Sequence, residues 1–191
     1  MLHIRPLLPA SVLLMVTAAV LFMAPAGPAA WTHADAQTLP KPSGGDRIFL
    51  KIDGVEGEAT ESDHVGDLNV RSFNWGESRA IDSSAKAQIK DFHVVTALDK
   101  ASPLLMRKTA VRDRISKAVL TIRNSLGQDY TKWTLGDIVV TGLQIEGTAG
   151  QGKPEVSFDL NFSKIDAEYR AQLYNGGLSP AVKASWDAKG G

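Results

Sequence analysis

Beyond residue 46, apolar and polar positions alternate with period two along most of the chain, the mark of half-buried strands. Ile48, Leu50 and Ile52 share one face of a first strand, and Ala118, Leu120 and Ile122 do the same in KAVLTIRN. Val156, Phe158, Leu160 and Phe162 form the cleanest set, with Ser157, Asp159 and Asn161 opposite. Trp133, Leu135, Val139, Leu143 and Ile145 read as one face of a long strand interrupted by Asp137 and Thr141. After Phe162 the phase slips to Ile165, Ala167 and Tyr169. That slip predicts a bulge or bend near Ser163–Lys164, the device by which a long strand turns a barrel corner. Segments near Leu68–Trp75, Gln88–Leu98 and Val182–Trp186 complete the set of strands.

One short helix is signalled at Pro103–Val111. Ser102 offers a cap, and Pro103 fits the first helical position, where its missing N–H costs nothing. Arg107, Lys108, Arg112 and Arg114 gather toward the C-terminal end, where cations suit the helix dipole. Leu104, Leu105, Met106, Ala110 and Val111 go most of the way round the helix. A helix apolar on several sides wants cover on more than one, from its own chain or from a neighbouring subunit. Many strands with one helix predict a mainly β fold, an antiparallel two-sheet β-barrel with one short flanking α-helix.

The first 36 residues follow a different pattern. His3 and Arg5 give a mildly basic start, Ser11–Met23 is apolar, and APAGPAA leads to Ala34-Asp35-Ala36. This is the layout of a secretory signal peptide, cleaved between Ala36 and Gln37. The apolar run is short for a bilayer crossing, so no permanent membrane insertion is expected. A start at Met23 is the alternative reading, and it removes the apolar segment. The domain plan is therefore a leader at 1–36, a Pro- and Gly-rich flexible lead-in at 37–46, and a barrel at 47–189. With a working leader the protein is secreted or periplasmic; with the later start it begins in the cytoplasm.

Charge and composition narrow the chemistry. Lys+Arg and Asp+Glu are both 21. That balance offers no basic surface for nucleic acid and removes long-range repulsion between copies. The absence of cysteine excludes disulfides, thiol nucleophiles and thiolate zinc sites. Residues 53–66, DGVEGEATESDHVG, form a long polar loop. Its acids Asp53, Glu56, Glu58, Glu61 and Asp63 do not follow the spacing of a calcium loop and read as a solvated face. His64 and His93 have no partner set by sequence, and no G-x-S-x-G elbow occurs. GTAGQG at 147–152 sits between two strands and reads as a hairpin turn, not a phosphate cradle. Trp75, Trp133, Trp186 and Tyr169 offer a sugar-binding face, although core packing is the commoner fate of strand aromatics. No catalytic residue, metal ligand or cofactor is expected, and the chain is not read as an enzyme.

The ordered segments IFLKIDGVEGEA, SFNWG, DFHVVTALDKASPLLM, AVLTIRN, YTKWTLGDIVVTGLQIEG and VSFDLNFSKIDAEY resemble the Hcp family, the tube-building protein of bacterial type VI secretion. The resemblance spans roughly Ile48 to Lys189. It implies a β-barrel of two sheets with a helix on one flank. It further implies six-membered rings that stack into a hollow tube, with a lumen able to carry small effectors. The implied partners are copies of the chain itself, secretion effectors, and sheath and spike proteins. Asp53, Glu56, Glu58, Glu61 and Asp63 fall in the family's ring-stacking loop, and Leu104, Leu105, Met106 and Val111 in a helix near subunit contacts. The leader departs from the family pattern, whose members are loaded from the cytoplasm. It keeps a second reading open: an exported Hcp-like barrel that binds an envelope protein or a glycan.

Overall fold

The computed structural model describes residues 44–78 and 88–187. The expected leader, with Ala34, Ala36 and Gln37, and most of the lead-in lie outside the described residues. The elements in chain order are β1 (Arg47–Ile52), β2 (Leu68–Asn74), β3 (Glu77–Ser78), β4 (Gln88–Ile89), β5 (Phe92–Ala97), α1 (Ser102–Val111), β6 (Ile115–Arg123), β7 (Asp129–Glu146), β8 (Glu155–Asn161), β9 (Lys164–Tyr169) and β10 (Val182–Asp187).

Six strands close an antiparallel barrel in the order β7-β6-β1-β2-β5-β8, with β8 returning to β7. β9 and β10 continue outward from β7, and β3 and β4 make a separate ribbon. The segment Gln88–Leu98, read as one strand, is broken at Lys90–Asp91, with β4 on one side and β5 on the other. The interior is built from the inward parity of each strand. Leu50, Leu68, Phe92, Val94, Leu120, Leu135, Phe158 and Leu160 are fully buried. Trp75, Trp133 and Trp186 pack against that core, and Phe73 meets Trp133 edge-on at 5.1 Å between ring centroids. Tyr169 instead lies half-exposed beside Tyr130.

The corner predicted at Ser163–Lys164 is present. β8 runs along the far half of β7, from Glu146↔Glu155 to Val139↔Asn161. β9 takes up the near half, from Gly136↔Lys164 to Thr131↔Tyr169. Between them the Ser163 N–H donates to the Gly136 carbonyl at 3.1 Å. Opposite this break β7 bends too, at Asp137, which sits in the left-handed region with φ 56. The Asp137 carboxylate accepts from the Ser163 hydroxyl at 3.1 Å and pairs with Arg114.

This bend corrects the expected face of the long strand. Trp133 and Leu135 do point inward, but beyond Asp137 the phase changes and Ile138 and Val140 are buried in place of Val139. A register shift between Val140 and Gly142 restores the original parity, so Leu143 packs on the core while Ile145 is half-exposed. Of the residues read as interruptions, Asp137 is thus a left-handed bend that keeps the pairing register and Thr141 a bulge, and both re-aim the strand.

The helix forms where expected, with a different start. Ser102 lies inside the first turn and Pro103 follows it, still among the N–H groups that have no helical acceptor. Ala101 is the cap residue and no side chain caps the helix; Asp99 and Ser102 instead lock the turn before it, the Asp99 carboxylate accepting from the Ala101 N–H at 3.0 Å and from the Ser102 hydroxyl at 3.3 Å. Arg112 closes the helix in the left-handed conformation, with the Asp113 N–H donating to the Lys108 carbonyl at 3.1 Å. α1 packs against β7 and buries Leu105 in the core.

Candidate functional site

The loop between β1 and β2 is a folded element. In GVEGEAT, Val55, Gly57 and Ala59 are buried, while Glu56, Glu58 and Thr60 face outward. The segment doubles back on itself. The Gly57 N–H donates to the Gly66 carbonyl at 2.7 Å, Gly66 to Ala59 at 3.0 Å, and Ala59 to Asp67 at 2.9 Å. Gly57 permits this approach, because a Cβ there would lie 2.4 Å from the Asp67 carbonyl oxygen and 2.8 Å from the Leu68 Cα.

The doubled loop lies against the outer face of the barrel. Phe49 has the outward parity of β1, between inward Ile48 and Leu50, yet only 3% of it is exposed. The His64 imidazole stacks on it, rings 6° from parallel and centroids 4.2 Å apart. Both ring nitrogens of His64 reach carboxylates, Nδ1 to Asp67 at 2.8 Å and Nε2 to Asp129 at 3.3 Å.

Arg123, at the end of β6, anchors the tip. Its side chain is 5% exposed and every guanidinium nitrogen is used. Nε donates to Asp129 at 2.6 Å, Nη2 to Asp63 at 2.8 Å and Nη1 to Glu61 at 3.2 Å. Glu61 also pairs with Arg47, and Asp129 lies 3.7 Å from Lys132. The Asp129 bond first, with Asp63 and Glu61 after it, outweighs burial and raises the Arg123 pKa, so the guanidinium stays charged. Burial alone would raise the Asp129 carboxyl, but hydrogen bonds from Arg123 and His64 overcome it and hold the group below the ordinary carboxylate range.

That direction sets a pH dependence. A carboxylate with a lowered folded pKa contributes stability that is present above its unfolded value, about 3.9, and is lost as pH falls through the lower folded value. The unaltered protein is therefore expected to lose thermal stability as the pH falls below about 4 more steeply than Asp129→Asn. Parallel melting curves across that range would remove Asp129 from the account.

The five loop acids thus divide. Glu61 and Asp63 both bond Arg123 and hold the loop down; Glu61 is partly covered, which corrects the solvated reading for that residue, while Asp63 stays largely exposed as expected. Asp53, Glu56 and Glu58 are exposed and have no contact with Arg123. Asp53 accepts from the Ser116 hydroxyl at 2.7 Å. Glu56 pairs with Lys100 at 3.0 Å, and Glu58 accepts from the Lys100 N–H at 3.2 Å and lies 3.4 Å from Lys153.

The structure brings this loop and the helix together. Residues 51–56 and 65–67 line a shallow cleft whose other wall carries Leu104. Val65 is 70% exposed in it, and Leu104, Met106 and Val111 are also exposed. Leu105 does not belong with them: at 1% exposure it anchors α1 to its own barrel and cannot reach a neighbour. His93, also without a partner in sequence, bonds Asp159 at 2.7 Å on the outer wall.

The reading of the sequence missed Arg123, Asp129 and His64 as a set. Two signals pointed to a covered outer wall: apolar residues at consecutive positions in Ile48-Phe49-Leu50, and a period-two pattern inside the loop itself. Among the described residues, no group of three or more His, Asp or Glu is arranged to hold a metal ion, and no helix is long and apolar enough to cross a membrane.

Comparison with known proteins agrees with this architecture. The family described as "Type VI secretion system effector, Hcp" matches residues 49–169. Protein hcp1 of Pseudomonas aeruginosa is 25% identical over 153 residues, spanning 74% of this chain and 94% of its own. The crystal structure of Hcp1 from Salmonella typhimurium superposes with a TM-score of 0.65 at 28% identity, covering 76% of this chain and 97% of that one. A type VI secretion system effector from Yersinia pestis gives a TM-score of 0.63 at 25% identity, covering 73% and 98%. The matched span holds the closed barrel, the doubled loop and the helix together, and the chain belongs to the Hcp family of type VI secretion.

Proposed function

We propose that this protein is a structural tube subunit, which joins five copies of itself in a ring and stacks ring on ring. The observation that carries the reading is the family match over 49–169, which covers the barrel and both surface elements. A tube needs two heterologous contacts, one that closes round the ring and one that repeats along the axis. Exposed Glu56 and Glu58 supply a polar contact for stacking, and Leu104, Met106 and Val111 an apolar one for the lateral neighbour. Equal numbers of acidic and basic residues leave no net repulsion against assembly. The ring's lumen is the place for a small effector, and sheath and spike proteins are its further partners.

Native mass spectrometry tests the reading. A sixfold complex supports it, and a monomer at every concentration sinks it. The same spectrum reads the subunit mass. Residues 1–36 are proposed as a cleaved leader, so a subunit beginning at Gln37 is expected from the native cell, and one beginning at Met23 marks the other start. A cleaved monomer that retains an envelope protein would favour the exported binding module, the reading that the leader motif supports.

Reversal of Glu56 and Glu58 to lysine is expected to leave the ring intact and to shorten or abolish stacked filaments seen by electron microscopy. Both side chains are exposed with partly exposed partners, so the fold itself changes by less than about 1 kcal/mol. Screening makes the defect deepest at low salt. Filaments of unchanged length would remove this loop from the stacking contact.

A further inference from the structure

We propose that Arg123 is the positioning residue of the assembly surface: it acts through Glu61 and Asp63 to hold the 53–66 loop in the one conformation that presents Glu56, Glu58 and Val65. The inference rests on the tube reading for its consequence but not for its mechanism.

Three observations carry it. The first is separation along the chain. Glu61 and Asp63 lie at the tip of the excursion, and their bonds to Arg123 tie that tip to the end of β6, 60 and 62 residues away. The second is saturation. A guanidinium presents its donors in a rigid planar fork, and here Nε faces the barrel's Asp129 while both Nη atoms face the loop. One residue therefore reads the position of the loop against the wall. The third is the division of labour among the acids. Those that contact Arg123, partly covered Glu61 and exposed Asp63, sit at the tip, and Glu56 and Glu58, which do not contact it, sit in the alternating segment whose amides pair with Gly66 and Asp67. If the tip lifts, that pairing loses its support, and the exposed acids and Val65 lose their fixed spacing. A surface fixed before contact does not have to be ordered on contact, which is where a repeated weak interface gains affinity.

His64 supports the same placement from below, stacked on Phe49 and bonded to Asp67 and Asp129. It seats the return limb of the loop, while Arg123 seats the tip.

The test uses the full chain with the paired change Glu61→Gln and Asp63→Asn, which keeps side-chain size and leaves the Arg123–Asp129 pair in place. Arg123→Lys is the second variant: it keeps the charge and loses the fork. Amide hydrogen exchange is read at Gly57, Ala59, Gly66 and Asp67, with Leu120 in β6 as the internal control. In both variants the four loop amides are expected to exchange at least about tenfold faster while Leu120 is unchanged. Native mass spectrometry should still give the sixfold ring, and electron microscopy should show filaments lost. A merely stabilising role would weaken ring and filament together.

Loop amides as protected as in the unaltered protein would overturn the positioning role. Loosened amides with filaments intact would overturn its link to stacking. If the unaltered protein forms no rings, the tube reading fails, and the exchange comparison still decides whether Arg123 sets the loop.

Discussion

Phe158→Ala is expected to lower the free energy of unfolding by about 3–5 kcal/mol, read from urea denaturation. Phe158 is wholly buried. It lies on β8, opposite Val94 of β5 on one side and Leu143 of β7 on the other. β8 is the strand that closes the barrel, so the cavity opens where two ladders meet. The walls cannot collapse into it without breaking one of them, which places the cost in the upper part of the range for large-to-small core changes. Against a typical total of about 5–15 kcal/mol, this single change removes a large share of the stability. A loss under about 1 kcal/mol would show that the seam rearranges freely.

The second large effect belongs to the outer wall. Arg123→Met is expected to cost about 3–5 kcal/mol, although methionine fills much of the same volume. The loss comes from what is left behind: the carboxylates of Asp129, Glu61 and Asp63 would face one another without the cation that joins them. Asp129 is the least exposed of the three and carries most of the penalty. The double change Arg123→Met, Asp129→Asn should therefore recover part of the loss, a non-additivity of about 1–3 kcal/mol in a double-mutant cycle. Strict additivity would mean that the carboxylates reach water without Arg123, and the ion pair would then be an ornament of the surface.

The barrel was legible where one face of a strand meets the core and the other meets water. β8 shows that alternation plainly, β1 and β6 show it on their inward parity with Phe49 and Thr121 covered on the other, and the corner at Ser163–Lys164 was legible because the apolar parity itself changes there. β7 was harder. Ile138, Val139 and Val140 are apolar on both parities, so the pattern fits either face, and only the left-handed backbone at Asp137 decides between them. The helix start was displaced because the backbone is already helical at Ala101, which has no capping side chain, so Ser102 falls inside the first turn and bonds Asp99 instead. The assembly surface was legible only in part. The loop, its acids and the helix stood out by composition. Their division into holding and presenting residues did not, because Arg123 is a lone charge at the end of an ordinary strand. Its role comes from contacts across some sixty residues, which no local period encodes.

The order of the ladders also bears on how the chain reaches its native state. β1, β2 and β5 form one meander, and β6 to β10 form another, each built from contacts close in sequence. Among the described strands, two seams join them, β1 with β6 and β5 with β8. The first meander therefore leaves the ribosome with both edges bare, and its closing partner ends at Asn161. Unpaired edges are the stretches on which chains join one another wrongly. For a protein made to meet copies of itself, the interval before β8 is synthesised is when self-association is a hazard, and the loop-closure entropy of those two distant seams sets how long it lasts.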